Sequence, residues 1–138
     1  MFISKLEDIF FLFLNDSVAS VREAGIGCLG DICSIMTNDW VQGILMAKLR
    51  EIYTRQIGYV FRRSAILALS HLPAMNDQAY QLLTNATKDV VPNMRFCACK
   101  TYAALAAKYD MSSVRGSIEA LLQDTDSEVR YYAQQALA

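Results

Sequence analysis

A short motif occurs four times along this 138-residue chain, and its spacing constrains the fold more than any other feature. Each copy is centred on an arginine that follows an apolar residue and has a small residue three positions after it. The arginines are Arg22, Arg62, Arg95 and Arg130, spaced 33 to 40 residues apart. Because helical repeat units are about 33 to 47 residues long, this spacing predicts one helical hairpin per repeat.

The remaining positions of the motif have simple packing roles. The small residues are Gly25, Ala65, Ala98 and Ala133. The large residues seven positions after each arginine are Leu29, Leu69, Tyr102 and Leu137. Small residues let two helix backbones approach closely, and large residues fill the space between adjacent hairpins.

An acidic residue lies six positions before three of the arginines, at Asp16, Asp89 and Asp124, whereas Gln56 occupies this position in the second repeat. We expect the aspartates to cap helix N-termini, because a carboxylate accepts hydrogen bonds from the free N–H groups there. The recurring arginines fit either an anion-binding ladder or a line of internal bridges between neighbouring helices. We favour internal bridges, because the guanidinium fork matches a carboxylate.

Apolar residues three and four positions apart predict helices throughout the chain. The predicted first-layer helices cover about residues 2–14, 39–53, 76–87 and 112–123. The predicted second-layer helices cover about residues 17–36, 58–72, 90–108 and 125–137. The predicted fold class is therefore all-α, an α-α superhelix (solenoid) of about four repeats in two helical layers. We assign the chain to one domain, 1–138, with repeats at about 1–37, 38–74, 75–109 and 110–138.

Charge and cysteine content argue against several classes of function. A net charge of −1 supplies no overall field that would attract nucleic acid or an anionic membrane. The cysteines are Cys28, Cys33, Cys97 and Cys99. They lack CxxC spacing and His71 is the only histidine, so we predict no metal site and no cofactor. We interpret all four cysteines as reduced core residues, which favours the cytoplasm and possibly also the nucleus. The most apolar run, Ile9 to Leu14, is too short to span a membrane.

The motif sequences resemble HEAT repeats. The copies that carry the resemblance are Asp16 to Arg22, Asp89 to Phe96 and Asp124 to Gln134. More narrowly, the chain is similar to the last four repeats of the 65 kDa-type scaffold protein of phosphatase 2A, whose closing repeat has the same pattern. Phe13 to Val18 and Val91 to Asn93 are also similar to the C-terminal region of regulatory subunit 1 of protein phosphatase 4. Both relationships remain open at this point.

The resemblance implies that the turns joining the two helices of each hairpin bind a partner. In the phosphatase 2A scaffold, the C-terminal repeats grip the catalytic subunit through these turns. The matching residues here are Asn15, Asp16, Ser17, Gln56, Gly58, Tyr59, Arg62, Arg63, Lys88, Asp89, Asn93, Asp124 and Asp126. Tyr and Arg are enriched in interface hot spots, although Tyr59 fits inter-repeat packing equally well. Gln56 and the shorter third and fourth repeats depart from the family pattern, which implies a different curvature.

The implied function is a non-catalytic scaffold or regulatory module that binds a serine/threonine protein phosphatase catalytic subunit. One alternative is a general HEAT-repeat adaptor for complex assembly or transport. A more distant alternative is a HEAT-like DNA glycosylase, for which Asp39 and Trp40 would be the candidates. We expect Trp40 to pack between repeats instead, because no basic surface is evident around it.

The N-terminal helix is more apolar than the end of a repeat stack requires. Its apolar stripe consists of Phe2, Leu6, Ile9, Phe10 and Phe13. A terminal repeat normally presents a polar outer face. We therefore predict either that the chain is the C-terminal part of a longer solenoid or that it self-associates through this helix.

Overall fold

The computed structural model describes residues 2–54 and 58–138, with the side chains of the first helix described from Lys5 onward. Across these residues the regular structure is helical, with no β-strand. The chain divides into two compact units, Met1–Pro73 (unit 1) and Ala74–Ala138 (unit 2). Both the α-helical fold class and its repeat character agree with the sequence prediction, whereas the repeat limits and the single-domain assignment stay predictions.

Unit 1 contains five α-helices among its described residues. They are α1 (Phe2–Leu14), α2 (Ala19–Gly27), α3 (Leu29–Ile35), α4 (Met46–Thr54) and α5 (Tyr59–Ala68). A π-helical segment, Trp40–Leu45, leads into α4, and a 3-10 turn, Leu69–His71, follows α5. Helix α1 packs on α2, α4 packs on α5, and α2 packs on α5, which gives two hairpins side by side.

Unit 2 has four α-helices arranged in the same way. They are α6 (Asp77–Ala86), α7 (Pro92–Ala106), α8 (Ser112–Ala120) and α9 (Ser127–Leu137). A 3-10 turn, Leu121–Gln123, follows α8. Helix α6 packs on α7, α8 packs on α9, and the most extensive contact is between α7 and α9.

Two predicted helices differ from the observed ones. The predicted helix 17–36 is interrupted at Cys28, which separates α2 from α3. Gly25, Gly27 and Gly30 surround the break, and glycine weakens a helix interior by about 1 kcal/mol relative to alanine. The predicted helix 39–53 begins with the π-helical segment, where Gly43 lowers the cost of leaving α geometry.

The prediction that the motif aspartates cap helices is wrong. Asp16, Asp89 and Asp124 lie two residues before the N-cap positions, and each Oδ1 accepts the N–H two residues later. These are Asx turns, which use the same residue types as helix caps. The cap of α9 is Asp126, whose Oδ1 accepts from the N–H groups of Glu128 and Val129.

The small positions of the motif have the predicted role. Ala65, Ala98 and Ala133 have no exposed surface, and Gly25 is also buried. A Cβ atom placed on Gly25 would lie 3.0 Å from Cβ of Phe13. The backbones of α1 and α2 therefore approach so closely that a Cβ atom at this position would displace its neighbour.

The cysteine prediction holds for three of the four residues. Cys33, Cys97 and Cys99 are buried, but Cys28 is exposed, so its assignment to the core is wrong. Burial raises the pKa of Cys33, and it raises that of Cys99 to about 12. Among the residues that the structure describes, no three His, Cys, Asp or Glu side chains are grouped to hold a metal ion. None of the described helices is long and apolar enough to cross a membrane.

Candidate protein-binding surface

In the first, third and fourth hairpins, a recurring hydrogen bond closes the turn that opens the second helix. Nη1 of Arg22, Arg95 and Arg130 donates to a backbone carbonyl six residues earlier, at 2.8, 2.8 and 2.7 Å. The acceptors are the carbonyls of Asp16, Asp89 and Asp124. Because the carboxylates of these aspartates hold the following N–H groups at 2.8 to 2.9 Å, both backbone and side chain fix each turn.

In unit 2 an ion pair joins two such turns. Nε of Arg95 lies 2.8 Å from Oδ2 of Asp124, and Nη2 lies 3.0 Å from Oδ1, which is bidentate geometry. The two side chains are only 14% and 9% exposed. The hydrogen bonds from Arg95 lower the pKa of the Asp124 carboxyl, and the carboxylate raises the pKa of Arg95. This pair confirms the predicted internal bridge for the third and fourth repeats.

In unit 1 the corresponding arginine has a different neighbour. The guanidinium of Arg22 lies over the ring of Phe61, with 5.4 Å from Cζ to the ring centroid, and Arg22 is 9% exposed. The sequence places Gln56 at the register position that Asp124 holds in unit 2, and Gln56 lies outside the described residues. The predicted ionic bridge is therefore replaced at Arg22 by a cation–π contact.

The predicted contact residues of unit 1 differ in their solvent exposure and in whether their polar groups already form hydrogen bonds. Nδ2 of Asn15 donates to the carbonyl of Phe11 at 3.0 Å, so this amide helps to end α1. Ser17 and Gly58 are exposed, and Tyr59 is 37% exposed. Arg62 and Arg63 are half-buried in the first turns of α5. Gly58 is the N-cap of α5 and has a φ of 128°, a conformation that strongly favours glycine.

The predicted contact residues of unit 2 fall into two groups. Lys88 and Asn93 are exposed. The three aspartates, Asp89, Asp124 and Asp126, are half-buried and use their oxygens to hold the turns and the start of α9. Arg95 brings the two turns together, because it bonds to Asp124 and to the carbonyl of Asp89.

Two exposed valines on the turns were missed by the sequence reasoning. Val18 is the N-cap of α2 and is 53% exposed, while Val90 lies between Asp89 and α7 and is 88% exposed. The signal was a β-branched apolar residue in a turn, where polar residues usually occur. Together with Tyr59, these side chains add apolar area to turns that otherwise carry polar groups.

The prediction that Trp40 packs between repeats is confirmed. Its ring is stacked on Phe11 at 6.3 Å, and Nε1 donates to Oε2 of Glu7 at 3.2 Å. Trp40 is only 5% exposed, so its indole is not available to contact a nucleic-acid base. Asp39 is exposed beside it.

The fold places the chain in the class of armadillo-like helical-repeat solenoids. A designed armadillo repeat protein, YIII(Dq.V1)4CPAF in complex with peptide (KR)4, matches 98% of this chain with a TM-score of 0.58 and 18% identity. Computationally designed armadillo repeat proteins for modular peptide recognition match 98% of it with a TM-score of 0.55 and 19% identity. In both cases the match covers 66% of the designed chain. At such identity the likeness concerns the fold alone.

Sequence comparison gives more specific relatives than the comparison of folds does. The HEAT repeat family model matches residues 8–36, within the first predicted repeat. The A-type regulatory subunit of protein phosphatase PP2A from Saccharomyces cerevisiae is 29% identical over 124 residues. The alignment covers 78% of this chain and 20% of the yeast protein, so the chain spans about one fifth of that relative's length. The predicted resemblance to HEAT repeats and to the phosphatase 2A scaffold is thereby confirmed.

Proposed function

We propose that this chain is a non-catalytic scaffold module that binds the catalytic subunit of a 2A-family serine/threonine phosphatase through its intra-repeat turns. The support is its similarity to a phosphatase regulatory subunit over 78% of its length. The helical-repeat fold fits this role, because stacked hairpins offer an extended surface without a closed pocket. In this proposal the partner supplies every reacting group.

One observation carries the proposal: hydrogen bonds fix the backbone of the turns, and the side chains next to these bonds are exposed. Asp89 and Asp124 hold the turns of unit 2 through backbone and carboxylate bonds, so their oxygens are already engaged. Lys88 and Val90 flank Asp89 in the first of these turns, Asn93 lies in the first turn of α7, and all three are exposed. A partner that contacts them meets side chains on a fixed backbone, which reduces the entropic cost of binding.

This arrangement divides the predicted contact residues by role. We assign the aspartates and Asn15 to holding the turns. We assign direct contact to the exposed or partly exposed residues: Ser17, Tyr59, Arg63, Lys88 and Asn93, with Val18 and Val90 added. Arg63 in unit 1 and Lys88 in unit 2 are cations, so charge reversal tests the turns of each unit.

The test is a paired charge reversal. Arg63→Glu with Lys88→Glu should weaken binding to the purified catalytic subunit by roughly 10- to 100-fold, because rim and hot-spot cations both contribute to such interfaces. Binding is measured by surface plasmon resonance, and helicity by circular dichroism. Arg115→Glu is the matched control: Arg115 is a 52% exposed cation on the first-layer helix α8, away from the turns.

Unchanged affinity in the double variant would contradict the assignment of the turns. Absence of any phosphatase catalytic chain among the proteins that co-purify from the source cell would contradict the proposal itself. A different dominant partner there would support the alternative, a general HEAT-repeat adaptor for complex assembly or transport. Fluorescent tagging in the same cells would test the expected cytoplasmic or nuclear location.

A further inference from the structure

A cleft of about 430 Å³ lies between the first-layer helices of unit 1. Helix α1 forms one wall, and the segment that runs from the π-helical turn into α4 forms the other. The residues that matter below are Glu7, Asp8, Phe11, Ile44, Lys48 and Glu51. A neighbouring cavity shares Asp8, Phe11 and Lys48 and extends the lining to Leu12. We call the two cavities together the α1–α4 cleft.

The base of the α1–α4 cleft belongs to the packing between the two hairpins of unit 1. Phe11 stacks on Trp40, with 6.3 Å between the ring centroids. Nε1 of Trp40 donates to Oε2 of Glu7 at 3.2 Å, which connects the two walls. Because these contacts already hold the walls together, a ligand would meet a preformed surface.

Apolar side chains are exposed at separate points of this cleft. Ile44 is 48% exposed and Leu12 is 69% exposed. Gly43 and Ala47 complete the lining beside Ile44, and their small size leaves the cleft open. From Gly43 to Glu51 the wall is eight residues long, or about 12 Å of helix. This length fits about two turns of a further helix.

The charge of the cleft is mainly negative. Three carboxylates, those of Glu7, Asp8 and Glu51, line the larger cavity together with one ammonium group, that of Lys48. Nζ of Lys48 lies 3.5 Å from Oε2 of Glu51 and 5.6 Å from the ring centroid of Phe11, so this cation already contacts groups of the cleft. Asp8 is exposed and forms no ion pair with any residue that the structure describes. Cationic groups on a ligand would therefore complement the cleft.

We infer that the α1–α4 cleft binds a basic amphipathic helix of a partner protein. Its apolar residues contact Leu12 and Ile44, and its Lys or Arg residues contact the carboxylates along the walls. Helices of this kind bind grooves through apolar residues that recur three and four positions apart. The cleft lies between first-layer helices, so the inference does not depend on phosphatase binding through the turns.

The need for cations separates this ligand from other occupants. None of the described helices of this chain carries two exposed Lys or Arg side chains, so a second copy offers no matching helix. A nucleic acid or an anionic membrane would bring like charges to the carboxylates, which is unfavourable.

The probe is a fluorescein-labelled synthetic peptide of about five helical turns, built from Leu and Lys with helical periodicity. Binding to the 138-residue chain is measured by fluorescence anisotropy. Asp8→Lys and Leu12→Gln should each weaken binding by about tenfold, because each removes a contact that the ligand needs. Lys48→Gln should strengthen binding by about threefold, because it removes the cation that competes for the carboxylates.

Two matched variants and two further peptides serve as controls. Glu23→Lys makes the same charge change on α2, outside the cleft, and Val90→Thr replaces an exposed apolar residue in unit 2. Both should leave binding unchanged. A peptide of the same composition with alternating Leu and Lys, and a helical peptide with Glu in place of Lys, should bind at least about tenfold more weakly. Circular dichroism checks that each variant keeps its helicity.

Several results would overturn the inference. Absence of binding would do so, as would equal binding of the alternating or the acidic peptide. An equal loss with Asp8→Lys and Glu23→Lys would show that binding follows the overall charge. Weaker binding to Lys48→Gln would contradict the role of the carboxylates. A dimer of the chain in light scattering that Leu12→Gln converts to a monomer would assign the cleft to a second copy.

Discussion

In each unit, an arginine at the same motif position connects the two hairpins, but the side chain that it contacts differs between the units. In unit 2, Arg95 forms a bidentate ion pair with Asp124, whereas in unit 1 Arg22 lies over the ring of Phe61. Both arginines keep the bond to the carbonyl six residues earlier, at 2.8 Å. The arginine is therefore required first to close its own turn, and the contact with the next hairpin can change with the residue available.

The largest expected difference between the units comes from removing the arginine. Arg95→Met leaves the Asp124 carboxylate, which is 9% exposed, without its cation. Loss of one partner of such a pair should lower the free energy of unfolding by about 3 kcal/mol. Arg22→Met leaves no carboxylate unpaired among the described residues, so it should lower the free energy of unfolding by only about 1 kcal/mol. Urea denaturation followed by circular dichroism measures both.

Equal losses for the two variants would show that turn closure, not the partner, dominates the role of the arginine. The double variant Arg95→Met with Asp124→Asn is the control, because it removes the unpaired charge. It should recover part of the stability lost in Arg95→Met.

The ion pair also makes unit 2 sensitive to acid. The pKa of Asp124 is lowered from its ordinary value of 3.8, chiefly by its hydrogen bonds from Arg95. Its contribution is therefore fully present above pH 3.8 and is lost as the pH falls through the lowered value. At pH 7, Asp124→Asn should be less stable than the wild type by about 1 to 2 kcal/mol.

The measurement is the difference in unfolding free energy between wild type and Asp124→Asn, followed from pH 7 to below pH 3.8. The difference should shrink as the solution becomes more acidic than pH 3.8. A difference that stays constant, or that grows in acid, would contradict the role of the carboxylate. Arg22→Met is the control from unit 1, and its deficit should not change over the same range.

Close helix packing gives the next contrast. A Cβ atom on Gly25 in unit 1 would lie only 3.0 Å from Cβ of Phe13, whereas Ala98 and Ala133 hold the same motif position in unit 2. Gly25→Ala should destabilise the protein by about 1 kcal/mol, because the contact at 3.0 Å involves Cβ of Phe13, which cannot move without the α1 backbone.

Gly27→Ala is the matched control on the same helix. A Cβ atom on Gly27 would meet nothing within 4 Å, so the higher helix propensity of alanine should stabilise the protein by about 0.5 to 1 kcal/mol. Thermal unfolding distinguishes the two substitutions. A stabilising effect of Gly25→Ala would mean that α1 and α2 do not approach as closely as described.

The fold was predictable from sequence because its determinants repeat. The spacing of the arginines and small residues predicted the hairpins. The recurrence of an aspartate six positions before the motif arginine predicted the ion pair of Arg95 with Asp124. The aspartates were misassigned because a cap and an Asx turn select the same residue, and only the backbone separates them.

Other features depend on the position of a residue in the stack. Cys28 has the local pattern of a core residue, yet it lies on the outer side of the first hairpin and is exposed. Val90 follows an aspartate in a turn, and no periodic pattern distinguishes an exposed valine there from a buried one. The contact of Arg22 with Phe61 was missed because an apolar residue before the motif arginine has the pattern of an ordinary core residue.

The smallest expected effect tests that contact directly. Phe61→Leu keeps apolar volume but removes the ring beneath Arg22, and it should lower the free energy of unfolding by about 0.5 to 1 kcal/mol. Phe61→Tyr keeps a π face and should leave stability nearly unchanged. A double-mutant cycle with Arg22→Met isolates the coupling between the two side chains. A coupling energy near zero would mean that Arg22 stabilises only its own turn, through its bond to the carbonyl of Asp16. The ion pair in unit 2 would then be the stronger of the two contacts between hairpins.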